Sequence, residues 1–213
     1  SAASDVYKRQ SQVYTADNKL MGTYNMNQEN RIHVDYDNLS PYLVKALVAT
    51  EDERFYEHSG IDFIALGRAI IKRGVFGQTS AGGGSTITQQ LAKQLYSNTA
   101  ESTSERLLQK PIEWVIAIKL EKYYTKEEII TMYLNYFDFL HNAVGIKNAS
   151  NVYFSKEPKD LKLEEAATLI GLCKNPSFFN PVRYPDRCRE RRNVVLGQML
   201  KAGKITRGEY LMA

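Results

Sequence analysis

The stretch Ser40-Pro41-Tyr42-Leu43-Val44-Lys45-Ala46-Leu47-Val48-Ala49-Thr50-Glu51-Asp52-Glu53-Arg54-Phe55 decides how the rest of the chain is read. Ser40 is a good N-cap, and Pro41 suits the first helical position, where its missing N–H costs nothing. Leu43, Leu47 and Val48 recur at helical spacing and give the segment one apolar face. This face then runs into the charge cluster Glu51-Asp52-Glu53-Arg54, followed by Phe55, His58 and Gly60. The sequence therefore predicts a helix that ends in carboxylates beside an aromatic residue and a chain reversal.

Helical patterning continues outward toward the C-terminus. A second helix is expected over Phe63 to Val75, followed by a loop from Gly77 to Gly84 with three successive glycines at its end. Ser85 is the expected N-cap of the next helix, with Ile87, Leu91 and Leu95 on its apolar face. Asn98 to Ser104 reads as a polar loop. A long helix follows in which Ile112, Val115, Ile116, Ile118 and Leu120 are expected to be buried and Pro111 to sit in the first turn or kink the helix. Thr125 and Glu128 form a capping box for a helix carrying Ile129, Ile130 and Leu134. Further helices are expected from Leu163 to Leu172, from Asp186 to near Gly203, and from Thr206 onward. Toward the N-terminus, Val13-Tyr14 and Leu20 to Tyr24 read as strands around an Ala16–Lys19 turn, and Arg31 to Tyr36 as a further short strand. Ser1 to Gln10 has neither apolar period nor turn signal and reads as a tail or expression scar, leaving 11–213 as the domain. The fold class is mainly α with a small N-terminal β element over 11–36 and helical lobes over 40–213.

At 213 residues the chain is long enough for one sizeable core or two small lobes, and its net charge of +4 is compatible with an anionic substrate or a lipid surface. Fourteen tyrosines against a single tryptophan suit amphipathic surfaces as well as packed cores. Cys173 and Cys188 are too few for a zinc site or a disulfide framework; one disulfide and two buried thiols both fit. No apolar run approaches the roughly 20 residues that span a bilayer.

Three features point to chemistry. The acidic cluster at Glu51 is by itself compatible with a solvated surface. The Gly-rich loop leading to Ser85 and Thr86 offers free N–H groups and the positive end of a helix dipole, which suits phosphate, with Gln89, Gln90 and Lys93 following. Glu113, in the apolar segment that follows Lys110-Pro111, must be paired or protonated, and an ion pair with Lys110 at i−3 satisfies that requirement.

Taken in order, these segments resemble the peptidoglycan glycosyltransferase family, glycosyltransferase family 51. Glu51 to Gly60 looks like the family's Glu-Asp-x-x-Phe-x-x-His-x-Gly motif. Gly84-Ser85-Thr86-Ile87-Thr88-Gln89-Gln90, with Lys93, resembles the second motif. Gln109-Lys110-Pro111-Ile112-Glu113 resembles the third and Tyr133-Leu134-Asn135 the fourth. Glu164-Glu165-Ala166-Ala167 through Asn175-Pro176-Ser177 and Asn180-Pro181 resemble the fifth, and Arg191-Arg192 extends the match. The departures are Gln109 where the family has arginine, Cys173-Lys174 where Pro-Gln is common, and a longer loop around Ser97 to Ser104.

The resemblance implies a lysozyme-like, two-lobed helical domain of a class A penicillin-binding protein. It implies polymerisation of lipid II onto a growing lipid-linked glycan chain, with inversion and with release of undecaprenyl pyrophosphate. It assigns Glu51 as general base, Glu113 as second carboxylate, and Asp52, Arg54, His58, Ser85, Thr86, Gln89, Gln90, Lys93, Lys110 and Asn135 as substrate-binding residues. A divalent cation, Mg or Mn, on the pyrophosphate is the cofactor it suggests. The implied partners are the membrane surface, reached through the Phe63 to Phe76 segment with Arg68, Lys72 and Arg73, and phosphoglycolipid inhibitors such as moenomycin, over which the Gly77–Gly84 loop should close; no nucleic acid is implied. The implied location is the outer face of the bacterial cytoplasmic membrane, with an anchor before residue 1 and a transpeptidase domain after residue 213. A lysozyme-like lytic enzyme and a non-catalytic peptidoglycan- or lipid-binding module are the rival readings.

Overall fold

The computed structural model describes residues 10–14, 20–25, 32–76, 84–96 and 103–213. The expected Ala16–Lys19 turn, the Gly-rich loop apart from Gly84, and most of the Asn98–Ser104 loop lie outside the described residues.

Two strands, β1 (Gln10–Tyr14) and β2 (Leu20–Asn25), pair antiparallel, with Gln10 opposite Asn25. β1 begins at Gln10, inside the span read as tail. The further strand expected over Arg31 to Tyr36 is not formed: Ile32 to Asp35 carry no ladder, and a 3-10 turn covers Tyr36–Asn38. The alternation around Val34 does mark extended backbone, but its partner is a side chain. Asn135 accepts from Val34 N–H through Oδ1 (2.9 Å) and donates through Nδ2 to Val34 C=O (2.8 Å), which stands in for a neighbouring strand.

Nine helices are described: α1 (Pro41–Glu51), α2 (Phe63–Phe76), α3 (Ile87–Tyr96), α4 (Thr103–Tyr123), α5 (Lys126–Tyr136), α6 (Ile146–Phe154), α7 (Leu163–Leu172), α8 (Pro185–Lys201) and α9 (Arg207–Met212). Ser40 caps α1 through Tyr42 N–H, and Thr125 with Glu128 and Thr206 with Glu209 form capping boxes for α5 and α9. α6 carried no expectation. It starts at Gly145, whose φ of +84° and close approach to the Asn135 carbonyl leave no room for a Cβ.

α1, α7 and α8 pack as one group, and α3 packs on α4 and α5 as another. A single apolar cluster joins them: Leu43 and Leu47 from α1, Ile87 and Leu91 from α3, Ile129, Ile130 and Leu134 from α5, Leu169 and Ile170 from α7, and Val195 and Met199 from α8. Each such fully buried side chain contributes about 1.5–3 kcal/mol relative to exposure. α2 stands outside this core, with Phe63, Ile64, Ile70 and Ile71 exposed and Ala69 buried.

α4 differs most from its expectation. Leu120 is buried, Ile112 and Ile116 are half-buried, and Val115 and Ile118 face outward. The inner stripe is Glu113, Ala117 and Leu120. Gly60 packs so closely against this stripe that a Cβ on it would lie 2.9 Å from the Ala117 carbonyl. Pro111 lies in the helix interior, since the helix begins at Thr103.

Candidate active site

The end of α1 holds the site. Asp52 leaves the helix with φ −160° and ψ 77° and turns its carboxylate inward. Asp52 Oδ2 accepts from His58 Nε2 at 2.7 Å and from Ile87 N–H, the first residue of α3, at 3.0 Å. His58 Nδ1 accepts from Gly60 N–H at 3.1 Å, so the ring's hydrogen sits on Nε2 and points at Asp52. Thr86 Oγ1 donates to Gly60 C=O at 2.6 Å and accepts from Gln89 N–H, while Gln89 Oε1 accepts from Thr86 N–H. Thr86, and not the expected Ser85, is therefore the cap of α3, and Gln89 completes its capping box. Together these contacts tie the chain reversal after α1 to the start of α3.

Glu51, one residue earlier, lies among different contacts. Its Oε2 accepts from Gln90 Nε2 at 3.3 Å, and Gln90 Oε1 in turn accepts from Tyr133 Oη–H at 3.0 Å. Its Oε1 is buried with no hydrogen-bond partner and lies 3.8 Å from a terminal guanidinium nitrogen of Arg191 on α8. Burial, and then the Glu51 charge, push the Cys173 thiol up; burial, with the Cys173 and Glu51 charges behind it, does the same to the Tyr133 phenol. Both neighbours therefore stay protonated and neutral beside the carboxylate. Cys173 and Cys188 are free buried thiols.

Two cavities meet at Glu51. One, of about 470 Å³, is lined by Glu51, Ser85, Gln90, Lys93, Lys110 and Glu113, with Cys173 and Lys174 at the end of α7. The other, of about 320 Å³, is lined by Glu51, Asp52, Arg54, Arg68, Lys72 and Ser85. Buried polar atoms without a partner gather here. Among the described residues they are Thr50 Oγ1, Glu51 Oε1, Gln94 Oε1, Arg191 Nε and Gln198 Oε1; all but Arg191 belong to residues lining one cavity or the other, and Arg191 reaches Glu51. Unsatisfied buried polar groups cost free energy and are rare away from functional sites.

Glu113 is buried, and its Oε2 accepts from Lys110 Nζ at 2.9 Å, the i,i+3 pair expected from spacing. Arg54 reaches Asp62 at 3.2 Å and Glu57 at 2.9 Å. Asn135 is not brought to either cavity: its amide is spent on Val34 and on Thr131 C=O. The described residues do not build a cage for a divalent cation. Glu113 already holds an ammonium, and no group of three or more His, Cys, Asp or Glu side chains converges among the described residues.

Sequence reasoning did not find Arg191 as a neighbour of Glu51, nor the link from Tyr133 through Gln90. It also missed Asp62, which receives Ala65 N–H at 3.0 Å at the start of α2. An Asp directly before an apolar helical run was the available signal for the last of these; nothing local signals the other two.

The sequence profile of the family described as Transglycosylase matches residues 17–200. Penicillin-binding protein 1A of Escherichia coli (strain K12) is 42% identical over 199 residues, covering 93% of this chain and 23% of that protein. Penicillin-binding protein 1F of Bacillus subtilis (strain 168) is 43% identical over 185 residues, covering 87% of this chain and 25% of that protein. The crystal structure of penicillin-binding protein 1A from Haemophilus influenzae superposes with a TM-score of 0.50 at 26% identity, over 96% of this chain and 20% of that one. The chain thus spans about a quarter of the length of the curated relatives it matches.

Proposed function

The chain belongs to the transglycosylase family, and on that premise we propose that it is a peptidoglycan glycosyltransferase polymerising lipid II, with Glu51 as general base. The observation that carries this reading is the meeting of two cation-lined cavities at Glu51, one of whose carboxylate oxygens is buried without a hydrogen-bond partner. Both reactants of such a polymerase carry a lipid pyrophosphate, so both sides of the reaction centre need positive charge. Lys93, Lys110 and Lys174 supply it on one side, and Arg54, Arg68 and Lys72 on the other.

The donor, a growing chain on undecaprenyl pyrophosphate, lies in the cavity with Lys93 and Lys110. The acceptor lipid II lies in the cavity with Arg68 and Lys72. The acceptor 4-hydroxyl gives its proton to Glu51 as its oxygen bonds to the donor's anomeric carbon. The bond from that carbon to the pyrophosphate oxygen breaks on the opposite face, inverting the centre, and the lipid pyrophosphate departs with the electron pair as a trianion that Lys93 and Lys110 meet. Base catalysis of this kind contributes about 10²–10⁴-fold. Glu113 holds Lys110 in place. Ser85 stands at both cavities, and Gln90 orients Glu51. His58, Asp52, Thr86 and Gln89 act by fixing the frame around it.

The exposed Phe63, Ile64, Ile70 and Ile71 of α2, beside Arg68 and Lys72, form the surface that meets the lipid bilayer, where the substrate's pyrophosphate sits. The catalytic domain works on the periplasmic side of the cytoplasmic membrane. Moenomycin-like phosphoglycolipids compete for the same cations. No described helix is long and apolar enough to cross a membrane. The test is incubation with fluorescent lipid II in detergent or vesicles. The expected result is a ladder of polymeric glycan that moenomycin abolishes. Release of sugars from sacculi with no polymer from lipid II would instead establish the lytic reading.

A further inference from the structure

We infer that Arg191 is a positioning residue for Glu51, aimed at it by a slot that Gly171 leaves open. Arg191 is largely buried on α8, far in sequence from the acidic cluster, and its terminal nitrogen lies 3.8 Å from Glu51 Oε1. The two groups are each incompletely satisfied: Glu51 Oε1 and Arg191 Nε both lack a hydrogen-bond partner. A buried guanidinium with a free donor beside a buried carboxylate with a free acceptor is costly as a structural pair, and a purely structural pair would close to bidentate contact.

The arginine's path is built by its neighbours. A Cβ at Gly171 on α7 would lie 3.1 Å from Arg191 Cγ, so the absence of a side chain there is what lets the aliphatic stem pass. On its other side the guanidinium faces the Phe179 ring, 5.7 Å from its centroid. Glu51 is thus oriented from two directions, by Gln90 at Oε2 and by Arg191 beside Oε1. The second contact is long enough to leave the accepting capacity of Oε1 unused. Arg191 sets where the carboxylate points, beside the neutral Cys173 and Tyr133.

This inference rests on Glu51 being the base, and the test separates the two. Initial rates on lipid II are measured for Arg191→Met, Arg191→Lys, Gly171→Ala, the Met–Ala double variant and Glu51→Gln, each with its melting temperature. Arg191→Met should lower kcat about 10- to 100-fold, the scale of a misoriented reacting group, with KM little changed. Arg191→Lys should recover part of that loss. Gly171→Ala should lower kcat a few-fold in the wild type and by nothing further in Arg191→Met, because both act through one side chain. If Arg191→Met does not fold, the Lys and Gly171 variants carry the test alone. An unchanged kcat, a loss confined to KM, or additive effects of the two sites would overturn the inference. Wild-type turnover in Glu51→Gln would overturn the base assignment itself.

Discussion

Glu51 and Asp52 are adjacent, equally charged and both turned inward, yet they sit in two different regions. Around Asp52, His58, Gly60, Thr86 and Ile87 form a closed knot in which Asp52 Oδ2 takes two hydrogen bonds and a third runs from Thr86 to Gly60. Around Glu51 lies an open pit where Oε1 has no hydrogen-bond partner and two cavities meet. A carboxylate oxygen held by two hydrogen bonds fixes backbone, whereas one without a partner remains able to accept a proton. The difference comes from direction: Asp52 leaves the helix and turns toward the start of α3, while Glu51, still helical, faces α8.

The contrast predicts which changes cost stability and which cost only turnover. The largest stability effect should come from Asp52→Ala, which strips the His58 ring and the Ile87 N–H of their acceptor. A loss of about 3 kcal/mol is expected for breaking buried bonds to a charge, read as a drop in Tm by calorimetry. An unchanged Tm would mean that the knot is not what holds α3 to α1. Thr86→Val is the next step down. It removes the helix cap and the donor to Gly60, and should cost about 1–2 kcal/mol by urea unfolding.

The outward face of α2 belongs to neither region and should separate from both. Phe63→Ser combined with Ile70→Ser changes side chains that are 69% and 62% exposed. Tm should hold, while binding to anionic vesicles weakens about tenfold. Polymerisation of long-chain lipid II should fall, and a short-chain soluble analogue should be spared. Equal loss on both substrates would show that these residues serve the pit directly.

The smallest effect lies away from both regions. Burial pushes the Glu165 carboxyl up, but the Lys156 ammonium at 2.8 Å and the Lys162 N–H outweigh it and hold it below the usual value. A depressed carboxyl contributes stability above its ordinary pKa and loses it as pH falls through the folded value. Lys156→Met should therefore cost about 0.5 kcal/mol near pH 7 and nothing once the pH is well below about 4. A cost that persists unchanged at acid pH would assign the loss to packing of the lysine stem.

Much of this was legible in the sequence where the signal is local. Ser40-Pro41, Thr125 with Glu128 and the Lys110–Glu113 pair depend on residues within one turn of each other, the Leu163 to Leu172 helix on a pattern within three turns, and all are found as read. What the sequence hid depends on distant packing. α4 turns Val115 and Ile118 outward and sets the backbone of Ala117 against Gly60, a contact made from another segment. Asn135 reads as a site residue by its motif, and only the fold reveals that Val34 needs its amide. Arg191 and Gly171 become neighbours of Glu51 only once α7 and α8 dock on α1.

One paired measurement decides whether the adjacent carboxylates divide the work. Glu51→Gln and Asp52→Asn are compared for polymerisation of lipid II and for Tm in the same buffer. Glu51→Gln should keep its Tm and lose about 10²–10⁴-fold in rate, whereas Asp52→Asn should lose Tm, with its rate falling as the folded fraction does. Near wild-type polymerisation by a folded Glu51→Gln protein would contradict that division.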